Sequence, residues 1–243
     1  MTGVPGIFCA VDKNNLAAAK ELVAMLSPLP LHIKLGLEFF VAEGPQGVAA
    51  IRAMLPASAK IFLDLKLHDI PNTVAGAVRA AAAAGVDFLT LHAGGGHEMM
   101  RAAVLAAQDV AQATGRPAPC LLGVTVLTHM DARDLSGIGI DAAPADQVLR
   151  LARLAAEAGM GGAVCAPQEI AALRAALPAD FKLVVPGIRP AGNAAGDQKR
   201  IMTPEEAGKL GADYLVIGRP ITEAADPVAA AGAILAALAA KAA

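Results

Sequence analysis

The residues most able to do chemistry lie in Asp64-x-Lys66-x-x-Asp69, at the end of an apolar run. If that run is a strand, side chains at i and i+2 share a face, so Asp64 and Lys66 project together. Asp69 follows in the loop or at the cap of a helix starting near Pro71. Burying Asp64 beside Lys66 is costly unless each stabilises the other. One explanation is a structural ion pair with a capping aspartate. Lys34, in a second apolar run, favours another. Two lysines and two carboxylates converging at one mouth are hard to explain as scaffold. A fixed ammonium in such an array can face developing negative charge and give up a proton.

A second constellation has the character of an anion site. Gly187-Ile188-Arg189 and Gly218-Arg219 follow the last two apolar runs. Glycine lets backbone N–H groups approach an anion, and arginine offers a forked set of donors. The stretch Pro190–Arg200, which carries Gln198, has the composition of a loop that closes over a phosphate. Solvated arginines beside a flexible surface loop are the structural alternative.

These residues need a frame, and the chain supplies a repeating one. Apolar runs recur at Ile7–Val11, His32–Leu35, Lys60–Leu65, Phe88–Leu91, Leu121–Leu127, Gly162–Cys165, Lys182–Val185 and Tyr214–Ile217. Each has the length of a buried strand, and continuous apolar runs suit parallel strands covered on both faces. Helix signals separate them. Asn14 or Asn15 caps Leu16–Leu26, Pro71 and Pro167 suit first turns, and Thr203-Pro204-Glu205-Glu206 reads as a capping box. Gly85, Gly159 and Gly211 suit helix C-termini. Met130–Pro144 and Pro190–Thr203 read as loops, and Pro227–Ala240 as a final helix. Alternating strands and helices fit an open doubly wound sheet or a closed (β/α)8 barrel. Eight near-equal units in 243 residues favour the α/β class and a single (β/α)8 TIM barrel over residues 1–243. Chemistry in a barrel sits at the C-terminal ends of its strands, with phosphate after strands seven and eight. Both constellations fall there, as do Asp12 after the first run, His92 after the fourth and Thr128 after the fifth.

Composition removes other classes. Hydrophobic residues make up 56% and charged residues 17%, which does not describe a disordered chain. A net charge of −2 with no basic block argues against nucleic acid, and Trp 0 with Tyr 1 leaves few stacking platforms. The longest uncharged apolar stretches fall short of the roughly 20 residues of a membrane span. Residues Met1–Val11 lack the basic start of a signal peptide. The expectation is a soluble cytoplasmic protein. Cys9, Cys120 and Cys165 are read as buried reduced thiols. No Cys/His spacing suits structural zinc. His92-Ala93-Gly94-Gly95-Gly96 resembles an oxyanion loop, but no G-x-S-x-G elbow exists to use it. His92 and His97 are read as polar rim or core, and no phosphate-loop or dinucleotide fingerprint occurs.

The segment Asp64-Leu65-Lys66-Leu67-His68-Asp69-Ile70-Pro71-Asn72-Thr73 resembles the signature of the orotidine 5′-phosphate decarboxylase family. So do Lys34-Leu35-Gly36, Val124-Thr125-Val126-Leu127-Thr128, Val185-Pro186-Gly187-Ile188-Arg189-Pro190, Asp197-Gln198-Lys199-Arg200 and Ile217-Gly218-Arg219-Pro220. The matches run in family order from Asp12 to Arg219.

The resemblance implies decarboxylation of orotidine 5′-phosphate to uridine 5′-monophosphate, the last step of de novo synthesis of that nucleotide. It implies no cofactor, no metal, and a homodimer with shared active sites. By position, Lys34, Asp64, Lys66 and Asp69 form the charged array, with Asp69 and Thr73 serving the partner's site. Asp12 and Lys34 would meet the ribose, Thr128 the pyrimidine, and Arg189, Gln198, Gly218 and Arg219 the phosphate. Lys66 would stabilise a carbanion at C6 and then protonate it. His129 departs from the family pattern, which has a small hydroxyl residue there. Two other readings stand beside this one. A magnesium-dependent sugar-phosphate lyase of the same superfamily shares the Asp-x-Lys-x-x-Asp core, but the continuation through Thr73 argues against it. A catalytically silent nucleotide-binding barrel lacks support, because every expected polar position is filled.

Overall fold

Eight parallel strands form from the eight apolar runs and close on themselves. In chain order they are β1 (Gly6–Ala10), β2 (His32–Gly36), β3 (Ile61–Leu67), β4 (Phe88–His92), β5 (Cys120–Val124), β6 (Gly162–Val164), β7 (Lys182–Val185) and β8 (Tyr214–Ile217). Each pairs with its sequence neighbours, and β1 pairs with β8 to complete the barrel. The computed structural model describes residues 4–190 and 202–240. The helices are α1 (Leu16–Leu26), α2 (Leu37–Arg52), α3 (Pro71–Ala83), α4 (His97–Thr114), α5 (Ala132–Gly137), α6 (Pro144–Glu157), α7 (Ile170–Ala176), α8 (Pro204–Lys209), α9 (Arg219–Thr222) and α10 (Pro227–Ala240).

Local signals explain most boundaries. The Asn15 side chain accepts from the Ala18 N–H at 2.8 Å and starts α1. Pro71 opens α3, and Thr203 with Glu206 forms the capping box of α8. Most observed strand ends lie within one residue of the expected runs, and three differences are larger. β5 stops at Val124, because Thr125 turns its hydroxyl onto the Val164 carbonyl at 3.0 Å. The stretch expected as loop at 130–144 contains α5, capped by Asp131 and Asp134 in a reciprocal box. An all-aspartate box lacks the usual Ser/Thr and Glu/Gln pattern, which is why it reads as loop. β3 runs two residues further than its apolar run, to Leu67.

Strand alternation divides the core in two. Outward residues such as Ile7, Cys9, Ile33, Leu63, Leu89, Leu183 and Leu215 pack beneath the helices. Inward residues Phe8, Phe62, Phe88, Leu122, Val184 and Val216 fill the barrel. Phe8 is the hub, with ring centroids 5.1–5.3 Å from Phe62, Phe88, His32 and Tyr214. Aromatic pairs at this spacing contribute about 0.5–1.5 kcal/mol each beyond area burial. This cluster is a solid floor. On β2, β3 and β4 the next inward positions above it, Lys34, Asp64 and Thr90, are polar.

Cys9 and Cys165 are buried as expected, whereas Cys120 is only half-buried because it opens β5 at the bottom of the barrel. Burial pushes the Cys9 thiol up to about 12 and the Cys120 thiol to about 11. Phe8→Ala should remove about 3–5 kcal/mol of stability, read as a lower urea midpoint. A loss below about 1 kcal/mol would mean that Phe8 is not the hub of the floor.

Candidate active site

Four charges alternate in sign across the barrel mouth. Lys34 Nζ lies 3.3 Å from Asp12 Oδ1 and 3.7 Å from Asp64 Oδ2, and Lys66 Nζ lies 2.9 Å from the same Asp64 oxygen. The row runs from exposed Asp12 to Asp64, whose side chain is 14% exposed. Strand register produces it. Ala10 faces Lys34 across β1–β2, and Gly36 faces Asp64 across β2–β3, so successive strands lift the charges to one level. Gly36 also leaves room. A Cβ there would stand 3.2 Å from Asp12 Oδ1 and 3.3 Å from Lys34 Nζ.

Asp64 and Lys66 do converge, but not as neighbours on a regular strand. The β3–β4 register shifts between Leu63 and Leu67, and Lys66 has φ +51°. This is the left-handed region, which a side chain other than glycine or asparagine occupies at a cost of about 1–3 kcal/mol. Thr90, fully buried on β4, binds both ends of the irregularity. Its Oγ1 accepts from the Lys66 backbone N–H and donates to Asp64 Oδ1, each at 2.9 Å. The sequence reading did not include Thr90. Its signal was a single hydroxyl in the otherwise apolar Phe88–Leu91.

Burial alone would push the Asp64 carboxyl up. The Lys34 and Lys66 ammoniums, together with hydrogen bonds from Lys66 and Thr90, outweigh it and hold the group below the usual carboxylate range. His92 stacks on His68 with ring centroids 5.3 Å apart. Burial, then the charges of His68 and Lys66, pull it down, so it is neutral at pH 7.

Two adjoining cavities open over this array. One, of about 200 Å³, is lined by Lys34, Asp64 and Lys66 on one side and by Leu127, Thr128, Val164 and Cys165 on the other, above Phe62. The second, of about 360 Å³, is lined by Asp12, Lys13, Lys34, Gly187, Arg189, Gly218, Arg219 and Glu223. They share Lys34, Pro186 and Val216. Arg189 is buried, donates to the Ile188 carbonyl at 2.9 Å, and is pulled down first by burial and then by the Arg219 charge. Two guanidiniums gathered against their own repulsion favour an anion between them. Gly187, at φ +77°, lets the chain turn there. A third cavity, of about 380 Å³ around Lys60, Arg116 and Cys120, opens at the opposite ends of the strands, away from the charge row. Among the described residues no cluster of three His, Cys, Asp or Glu is placed to hold a metal ion.

The structure does not bring every expected residue into the site. Asp69 is exposed and, among the described residues, forms no ion pair with Lys66. It is not the α3 cap either. Ile70 holds that position, and Asp69 Oδ1 instead accepts from the Ile70 N–H at 2.6 Å. Thr73, in the first turn of α3, is exposed too. Thr128 lines the first cavity while His129 points to solvent. Gln198 lies outside the described residues. Cys165, Lys13 and Glu223 line the cavities without having been expected there.

Residues 5–234 match the family model for the orotidine 5′-phosphate decarboxylase / HUMPS family. A Moorella thermoacetica protein named orotidine 5′-phosphate decarboxylase is 52% identical over 231 residues, 95% of this chain and 90% of that protein. A protein of the same name from Anaeromyxobacter sp. is 51% identical over 232 residues, 96% of this chain and 97% of that one. The crystal structure of orotidine 5′-phosphate decarboxylase from Lactobacillus acidophilus superposes with a TM-score of 0.84 at 36% identity, covering 97% of this chain and 99% of that one.

The Asp64 carboxylate sets a pH dependence of stability. Its folded-state pKa is depressed, so its contribution is complete above the unfolded value of about 3.9 and is lost as pH falls through the lower folded value. The unfolding free energy of the wild type minus that of Asp64→Asn should be constant at neutral pH and should shrink below about pH 4. A difference that grows on acidification, in urea titrations, would reverse the assignment.

Proposed function

Because this chain belongs to the orotidine 5′-phosphate decarboxylase / HUMPS family, we propose that it converts orotidine 5′-phosphate to uridine 5′-monophosphate and carbon dioxide without a cofactor. One observation carries the reading. The alternating charge row ends in an ammonium that faces a cavity continuous with a two-arginine anion pocket.

The phosphate binds between Arg189, Arg219 and the backbone at Gly218, with Gln198 reaching it from outside the described residues. Asp12 and Lys34 hold the ribose hydroxyls at the seam of the two cavities. The pyrimidine enters the smaller cavity, between Thr128 and the charge row, and its C6 faces Lys66. The bond from C6 to the carboxylate breaks, and its electron pair stays on C6 as carbon dioxide leaves. The Lys66 ammonium, held in place by Asp64, stabilises that charge where it develops. It then gives C6 a proton, and solvent reprotonates the amine. Asp64 orients Lys66 and opposes the substrate carboxylate, a repulsion that departure of carbon dioxide relieves. Phosphate contacts far from C6 contribute by fixing the substrate against this array.

The residues themselves disfavour a magnesium-dependent lyase. Both Asp64 oxygens are already engaged, by Lys66, Lys34 and Thr90, and a divalent cation there would stand beside two ammoniums. The anion pocket and the cavity beside it do not suggest a silent barrel.

A homodimer with shared sites accounts for Asp69 and Thr73. Both are exposed at the rim, next to Ile70, which is 66% exposed. Leu37 and Val41, at the start of α2, are also exposed, at 51% and 80%. Exposed apolar side chains at a mouth that lacks one expected carboxylate support a second copy that supplies it. The highly charged substrate and product support a cytoplasmic location, and no helix among the described residues is long and apolar enough to cross a membrane.

Purified protein should consume orotidine 5′-phosphate equally with and without EDTA, followed by loss of the orotate absorbance. Lys66→Ala should reduce turnover by about a hundredfold or more. Activity lost to EDTA and restored by magnesium would overturn the cofactor-free reading.

The shared site has its own test. Lys66→Ala and Asp69→Ala should each be nearly inactive. When their subunits exchange, one site of a mixed dimer carries both lesions and the other carries none. Random exchange makes about half of the dimers mixed, so roughly a quarter of all sites should recover. An inactive mixture, with exchange verified by mass, would place Asp69 in its own chain's site.

A further inference from the structure

We propose that Thr90 is a positioning residue for the decarboxylation, its hydroxyl fixing the Lys66 backbone and the Asp64 carboxylate relative to each other so that the ammonium faces the cavity. The inference rests on the decarboxylase reading and deepens it.

The hydrogen-bond inventory leaves the hydroxyl one arrangement. A hydroxyl has one proton to donate and lone pairs to accept with. The ionised Asp64 carboxylate can only accept, so the Thr90 proton goes to Oδ1 and a lone pair is left for the Lys66 N–H. The result is a directed relay from the Lys66 N–H through the Thr90 hydroxyl to the Asp64 carboxylate. It spans the β3–β4 register shift, where no regular ladder bond can serve the Lys66 amide. Lys66 is the one described residue other than glycine with positive φ. Strain of that kind persists only where surrounding contacts over-determine it. Thr90 supplies such a contact from the neighbouring strand. Its side chain is fully buried at the inward level directly above the aromatic floor, so water does not substitute for it.

The same hydroxyl divides the work at Asp64. Lys66 and Lys34 occupy Oδ2, and Thr90 occupies Oδ1. The carboxylate is thereby fixed against rotation about its last bond, and Lys66 Nζ, which leans on Oδ2, is fixed with it. The charged groups facing Asp64 are Lys34 from β2 and Lys66 from its own strand, with His92 beyond Thr90 on β4. Removing the Thr90 donor leaves those charges in place but takes away one of the contacts that keep Asp64 ionised.

Thr90→Val keeps the shape and removes the hydroxyl, whereas Thr90→Ser keeps the hydroxyl and removes a methyl. Thr90→Val should lower kcat by about 10- to 100-fold, the scale of a misplaced reacting group, while the affinity for uridine 5′-monophosphate changes little. Its acid limb of kcat/KM should move to higher pH. Thr90→Ser should stay within about threefold of wild type in kcat with an unshifted acid limb. If Thr90→Val does not fold, Thr90→Ser and Thr90→Ala form a second pair that differs only in the hydroxyl, and the same gap should separate them. Equal kcat in the members of either folded pair, or a change confined to KM with no movement of the acid limb, would overturn the proposal. Failure of the decarboxylase reading is distinct: the wild type itself would then show no turnover of orotidine 5′-phosphate.

Discussion

The Asp64 carboxylate is the group on which the mouth of this barrel depends. An anion taken this far from water is unstable unless countercharges and donors surround it. Its neighbours supply them from three directions: Lys34 from β2, Lys66 from the end of β3 and Thr90 from β4. Lys34 is in turn balanced by Asp12, which reaches solvent. The row therefore connects a buried charge to the surface through partners of alternating sign. Several features follow from it: a glycine at 36 to make space, a hydroxyl at 90 in an apolar strand, and a residue at 66 held outside ordinary strand geometry.

The barrel separates the tasks of stability and chemistry by height. Inward side chains at the level of Phe8, Phe62 and Phe88 form a packed aromatic layer, and one step along β2, β3 and β4 the inward side chains Lys34, Asp64 and Thr90 carry charge or a hydroxyl. Period-two alternation makes this possible without disturbing the outer core, because the residues between face the helices. The floor is a packed layer of apolar rings directly beneath the charge row. The two arginines stand across the mouth from Lys66, Arg189 in the loop after β7 and Arg219 at the start of α9 after β8. A substrate that spans both cavities is held at one end and reacts at the other.

Much of this was legible in the sequence because short-range rules govern it. Strand and helix alternation follows from apolar runs and caps, and Leu16–Leu26, Lys182–Val185, Tyr214–Ile217 and Pro227–Ala240 coincide with the observed elements. The pairing of Asp64 with Lys66 was legible too, but by a rule that does not apply: the i, i+2 argument assumes a regular strand, and the pair meets across a register shift. What escaped was non-local. Thr90 matters through two contacts to another strand, and nothing near it in sequence signals them. The α5 helix escaped because its cap uses aspartates on both sides. Asp69 was placed within reach of two roles, loop or cap, and Ile70 takes the cap because the residue before Pro71 is driven to an extended conformation that suits that position.

The charge row also bears on why the site is not the most stable arrangement for this sequence. Breaking a buried ion pair by removing one partner destabilises, yet replacing a whole pair with apolar residues of similar volume is often neutral or stabilising. Lys66 adds backbone strain of about 1–3 kcal/mol to that desolvation cost. Both penalties fall on the same few residues, where the cavity meets the charges. The aromatic layer immediately below is the natural counterweight, because Phe8 alone touches four rings and each such pair contributes about 0.5–1.5 kcal/mol. A strained, charged mouth can persist because the layer beneath it is rigid and apolar. A softer floor would let Asp64 and Lys66 relax toward ordinary strand geometry and lose the alignment that sets the ammonium against the cavity.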